Sequence, residues 1–306
     1  MAVMGPETVD VAIEDDHLGG GGGTVVRRGV LRRTLSAPQA WIGLIVIALV
    51  VVWAIVGPWV ARWDPTTTDV FNFGAGPSRD HWFGTNDIGQ DIYAQTLVGL
   101  RKSLVIGFIA GPGATLIAGV VGAVSGYVGG FWDKVIVWFV DLMLVLPAFY
   151  ILVLLSPVFK KLSWVAMVVA LAVLSWMVMA RVVRGQTMSI KERDFVKAAR
   201  FMGVPGWTII RRHILPNVAS LLIIDATLGV GAAILTESTL SYFGFGVQAP
   251  DVSLGTLLAA GSASAVTRPW LFVFPAAILV VTVLATSLVG DALRDAVDPT
   301  SGANRD

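Results

Sequence analysis

Three carboxylates stand where hydrocarbon would surround them. Asp141 and Asp225 fall inside long apolar stretches, and Glu237 stands at the outer end of the stretch that holds Asp225. An intramembrane carboxylate costs about 2.5 to 3.5 kcal/mol on insertion scales unless it faces protein or water. Asp141 and Asp225 must therefore point into a bundle. Asp225, midway along its stretch, either lines a solute pathway or makes a buried polar contact with a partner subunit. Asp141, near a helix end, reads as structural, and Glu237 as a gate, a subunit contact or an interfacial carboxylate. Other chemistries lack their residues. There is no cysteine, hence no disulfide and no thiolate site. His17, His81 and His213 lie far apart with no second histidine at ligand spacing, which argues against a metal or haem centre. No His-Glu-x-x-His and no Gly-x-Ser-x-Gly supports an intramembrane enzyme. No Gly-x-x-x-x-Gly-Lys-Ser/Thr loop cradles a nucleotide, so any ATP and Mg must bind another chain.

Those carboxylates need elements that cross a membrane. With 55% hydrophobic and 14% charged residues over 306 positions, and a mean hydropathy of +0.76, the chain has too much apolar surface for a soluble domain. Membrane lipid is its solvent. The basic residues are scattered over loops and give no footprint for nucleic acid. A hydrocarbon core needs roughly 20 apolar residues per helix, and such segments fall at 39–61, 103–128, 135–157, 163–183, 217–236 and 271–290. The expected fold is thus an all-α membrane protein of six transmembrane helices. Residues 1–38, with Glu14-Asp15-Asp16, a Gly19–Gly23 run and four arginines, cannot bury a core and read as a disordered tail with no cleaved signal; 291–306 form a second tail. Gly107 and Gly111, and Gly122 and Gly126, put small residues four apart for close helix approach or for pore flexibility. Pro112 and Pro147 predict kinks.

Basic residues set the orientation. Arg27, Arg28, Arg32 and Arg33 precede the first span, and Arg181, Arg184, Lys191, Arg193, Lys197, Arg200, Arg211 and Arg212 cluster between the fourth and fifth. This places both termini and the 184–216 loop in the cytoplasm, and the 62–100 loop outside. Within the cytoplasmic loop, Phe195, Ala199 and Met202 recur at helical spacing, and Ala198 and Ala199 keep the surface small for docking. Gly203 stops that helix, Val204-Pro205-Gly206 turns, and a second short helix is expected over Trp207–Arg212 before Pro216. A short helix held across the membrane face converts a push from a partner into helix movement.

The run Arg193-Asp194-Phe195-Val196-Lys197-Ala198-Ala199-Arg200-Phe201-Met202-Gly203, continued by Arg211-Arg212-His213-Ile214-Leu215-Pro216, resembles the EAA loop of ABC importer permeases in its oligopeptide and dipeptide form. Three further blocks resemble the C-type permease of that family: His81–Asp91, Glu237–Gly246 and Gly290–Pro299. The resemblance covers about residues 36 to 299. It implies the type I importer permease fold, with 101–290 as the permease domain. It also implies a second, related permease subunit, two cytoplasmic ATPases and an external solute-binding protein. The 192–216 segment would be the ATPase-coupling helix, carried by Asp194, Phe195, Lys197, Ala198, Ala199, Met202, Gly203, Arg211, His213, Leu215 and Pro216. Relatives move dipeptides, longer peptides or nickel complexes. The sequence departs from the pattern at Lys197, usually Glu, for which the ATPase is expected to carry a compensating acid, and at Asn86 and Gln90, usually Asp and Arg.

The 62–100 loop is longer than a connection requires. Its aromatics, Trp63, Phe71, Phe73, Trp82 and Phe83, either dock the binding protein or form an interfacial belt, and Trp82, Phe83, Asp87 and Asp91 are the docking candidates. Residues 242–270 carry an apolar Leu254–Ala260 stretch suited to a short helix dipping back into the membrane. The rival class is a secondary transporter or channel working without ATPases. It predicts paired broken helices in repeated halves, which the sequence lacks.

Overall fold

The computed structural model describes residues 38–297; 1–37 of the expected N-terminal tail and 298–306 of the expected C-terminal tail lie outside them, whereas 291–297, expected in that second tail, continue the last helix. All regular elements among the described residues are helical. They are α1 (Pro38–Val60), α2 (Ile92–Val128), α3 (Gly130–Val145), α4 (Ala148–Leu162), α5 (Trp164–Ser175), α6 (Met177–Ile190), α7 (Asp194–Phe201), α8 (Gly206–Ile209), α9 (Leu215–Tyr242), α10 (Leu254–Ser262) and α11 (Trp270–Val297). A π-helical turn, Ile210–Ile214, joins α8 to α9. Four helices are long and apolar enough to cross a membrane, and up to six crossings result if each bent pair, α3 with α4 and α5 with α6, is one span.

The third expected span is broken, not kinked: α3 and α4 meet at 87°. Pro147 is the cause, because its ring pushes the preceding residue out of the helical region, and Leu146 is extended at φ −81°, ψ 124°. By contrast α2 runs unbroken through Pro112 and starts at Ile92, well before the expected 103. At 37 residues it is about 55 Å long. The second short helix also differs from expectation. α8, the π turn and α9 form one continuous rod from Gly206 to Tyr242. Pro216 cannot donate to an i−4 carbonyl. The ladder widens just before it, with the Leu215 N–H bonding Ile210 O five residues back.

α2 is the axis of the bundle. At Gly111 its backbone lies on that of α9, where a Cβ would come within 2.6 Å of Gly229 C and Val230 N. Further along, Cβ atoms at Gly122 and Gly126 would meet the Ala180 and Arg184 carbonyl oxygens of α6 at 2.5 and 2.7 Å. The two small-residue pairs thus seat two different helices, the close-packing role. α1 lays Ala40, Gly43, Val50, Ala54 and Gly57 against the bundle at helical spacing. The short α10, foreseen in the 242–270 segment, starts from a capping box: Ser253 Oγ accepts from Thr256 N while Thr256 Oγ1 accepts from Ser253 N.

Candidate functional site

α6 passes into α7 through residues 191–193, and α7 ends as the glycine predicted. Gly203 has φ +77°, the Gly203 N–H bonds Arg200 O, and the Val204 N–H bonds Ala199 O. This is a Schellman closure, with Val204 and Ala199 in one apolar cluster. The cluster fixes α7 to the bundle. Val196 and Ala199 pack with Ala123 of α2, Val183 and Ile190 of α6, Ile209 of α8, Ile210 and Ile214 of the π turn, and Val218 of α9. Lys191 Nζ adds a hydrogen bond to Gly126 O at the end of α2.

The outward face differs from the one expected. Ala199, 3% exposed, anchors α7 to its own chain and presents nothing to a partner. Phe195, Ala198 and Lys197 are exposed, as are Asp194, Arg211 and Pro216, while His213 and Leu215 are half-buried. The most open apolar side chains of this segment, expected in the cytoplasm, are Phe201 at 91% and Met202 at 75%, with Trp207 close in sequence at 56%. Phe201 and Trp207 were not marked as contact residues by motif position; their signal was an aromatic on a water-facing polar segment. Lys197 finds its acid within the chain, at Glu192 Oε2, 3.3 Å away. The compensation expected from an ATPase is therefore present in cis, although an exposed pair of this kind stabilises little.

Each intramembrane acid has a partner on another helix. Thr115 Oγ1 of α2 donates to Asp225 Oδ2 at 2.5 Å. Asp141 pairs with Arg181 of α6, but its side chain is 53% exposed, so it lies on the outside of this chain's bundle and not in its interior as expected. Glu237 is 0% exposed and accepts from Ser103 Oγ at 2.8 Å, Ser241 Oγ at 2.7 Å and Ser238 Oγ at 3.3 Å. Two of those hydroxyls in turn accept backbone N–H groups, from Leu254 to Ser103 and from Val247 to Ser241. One carboxylate thereby orders the whole connection from α9 to α10.

The 61–91 loop is folded on itself, which changes the reading of its four marked residues. His81, 1% exposed, lies between Asp91 Oδ2, 2.9 Å from Nδ1, and Asp69 Oδ2, 3.3 Å from Nε2, with Trp63 stacked on its ring. Asp91 also caps α2, accepting from Ala94 N, so it is structural and not open to docking. Phe83 is stacked on Phe274 at 4.1 Å and packs on Tyr93, again inside the fold. Trp82 remains partly exposed and Asp87 pairs with Arg268. The open apolar tip is Val70, Phe71, Phe73 and Ile88. The Asp69 carboxyl sits below the usual carboxylate range, first because the Asn72 side chain hydrogen-bonds it, then through the Phe71 N–H, with His81 adding to both.

With this geometry in place, comparison with known proteins is decisive. Residues 118–301 match the family described as binding-protein-dependent transport system inner membrane component, and residues 27–77 match the N-terminal TM domain of oligopeptide transport permease C. The oligopeptide transport system permease protein of Mycobacterium tuberculosis is 51% identical over 245 residues, 79% of this chain and 84% of the relative. That of Bacillus subtilis is 37% identical over 272 residues, 89% of each chain. The dipeptide transport system permease protein of Alkalihalophilus pseudofirmus is 36% identical over 264 residues, 85% of each chain. The chain belongs to the family of binding-protein-dependent transport system inner membrane components and is a permease subunit of an ABC importer in the cytoplasmic membrane.

Proposed function

We propose that this permease forms half of a pathway for short peptides, with a second, related permease as the other half. In this reading the chain crosses the membrane six times with both ends in the cytoplasm. Two cytoplasmic ATPases hold ATP and Mg, and an external solute-binding protein delivers the peptide. The names of the relatives, oligopeptide and dipeptide permeases, support the substrate class. α7 is the element that receives force. One observation carries the reading: Phe201, Met202 and Trp207 stand open on a segment whose other side is packed into the ends of α2, α6 and α9. An apolar, exposed surface on a rigidly mounted helix suits insertion into a groove of a partner. Closure of the ATPases would move α7, and with it α6 and α9, between two arrangements.

The test is reconstitution. The chain with its partner permease, ATPases and binding protein should import labelled short peptides only with ATP, while the permease pair alone should carry none. Peptide flux without ATPases would overturn the reading in favour of a secondary transporter or channel.

A further inference from the structure

α3 is thinly packed for a bundle helix. Of its 16 residues only Val140 is buried, against Ala114, Ala118, Trp176, Met177 and Ala180. Apolar contact therefore gives α3 little grip on its neighbours. Its two acids supply another kind. Asp133 receives Arg184 of α6 at two points, Nε to Oδ1 at 2.6 Å and Nη2 to Oδ2 at 2.7 Å, and Ser125 Oγ of α2 donates to Oδ1 at 2.5 Å. Asp141 pairs with Arg181, one turn from Arg184 on the same helix. α6 is the helix that leads straight into α7, and its successor Lys191 is tied to Gly126 of α2.

A planar guanidinium held at two points fixes rotation as well as distance, which a lysine cannot do. The bidentate Asp133–Arg184 rung resists turning as well as sliding of α3 against α6, and the single Asp141–Arg181 contact adds a second tether further along α3. We infer that this two-rung ladder, Asp133–Arg184 and Asp141–Arg181, makes α3 follow α6 when α7 is displaced, so that Asp133 and Arg184 are positioning residues for translocation. The inference rests on the coupling role proposed for α7. Without the ladder, α7 and α6 would still move with the ATPases, and hydrolysis would continue. The broken α3–α4 unit would no longer follow, and peptide would cross less often per ATP.

The experiment uses the assembled importer in proteoliposomes and reads binding-protein-stimulated ATP hydrolysis and labelled short-peptide uptake together. Asp133→Asn and Arg184→Lys should each lower peptide imported per ATP about tenfold, the size of a typical coupling energy, with stimulated hydrolysis within about twofold of wild type. Arg184→Lys keeps the charge and the helix propensity, so it decides the matter where Asp133→Asn fails to accumulate. A wild-type ratio in the assembled Arg184→Lys complex overturns the ladder. So does a parallel fall of hydrolysis and uptake, which would assign the pair to assembly alone. Phe201→Asp, run alongside, separates the two readings. If it abolishes stimulation while Arg184→Lys imports normally, only the ladder is wrong; if it changes nothing, the coupling role of α7 is wrong.

Discussion

The Asn86 Nδ2 donates to Gln90 Oε1 at 3.0 Å, so the two positions at which the loop departs from its family pattern are partners. A neutral amide pair stands where an acid and an arginine are usual. Gln95 Nε2 also donates to Gln90 Oε1, at 2.7 Å, which fixes the direction of the amide chain. Asn86→Asp alone would set a carboxylate oxygen against Gln90 Oε1, and turning Gln90 would leave Gln95 Nε2 only its bond to the Pro65 carbonyl. The single variant should lose about 1 to 3 kcal/mol of stability. Asn86→Asp with Gln90→Arg should recover most of it, read as thermal unfolding of the detergent-solubilised complex.

Alanine should cost stability at both Gly111 and Gly203, but more at Gly111 and for a different reason. At Gly111 the added Cβ meets backbone of α9, which cannot move aside, so the α2–α9 seat must open; a loss of about 1 to 3 kcal/mol is expected. At Gly203 nothing lies within 4 Å, and the cost is only the left-handed backbone, about 1 kcal/mol. Comparative thermal shifts of the two variants would show this order.

Replacing Glu237 by alanine removes the acceptor for three serine hydroxyls in a sealed site. Each buried hydroxyl left without its partner costs about 1 to 3 kcal/mol, so Glu237→Ala should fail to accumulate as a monodisperse complex. Glu237→Gln keeps one acceptor oxygen and should accumulate, with loosened α10 amides in hydrogen exchange.

Acid should loosen the 61–91 loop only late. Asp69 is more acidic than a free aspartate, so its contribution is complete above the unfolded value near 4 and is lost as pH falls through the lower folded value. Protection factors at Phe71 and Asn72, taken relative to the intrinsic rate at each pH, should be flat from about pH 7 to 5 and fall below about pH 4. In Asp69→Asn the protection should be low throughout.

Much of this was legible in the chain. Apolar length located the helices, glycine spacing the close contacts, and Gly203 the stop of α7. Partners at long separation were not: Glu237 bonds a serine 134 positions away, and Asp225 a threonine 110 away. Nor did loop composition reveal that Phe83 and Asp91 point inward, because aromatics and acids in a loop carry no periodicity. The inward face of α7 was missed for a different reason: Ala199 fits either a docking surface or a close internal contact, and only the position of α2, α6 and α9 decides.

The central claim is that α7 passes force from ATPase to permease through its open apolar face. Phe201→Asp is the most direct test, since this side chain is 91% exposed and its change leaves the core intact. In the reconstituted importer, the account predicts normal assembly of the permease pair with loss of both binding-protein-stimulated ATP hydrolysis and peptide uptake. Wild-type stimulation and uptake in the Phe201→Asp complex would contradict it.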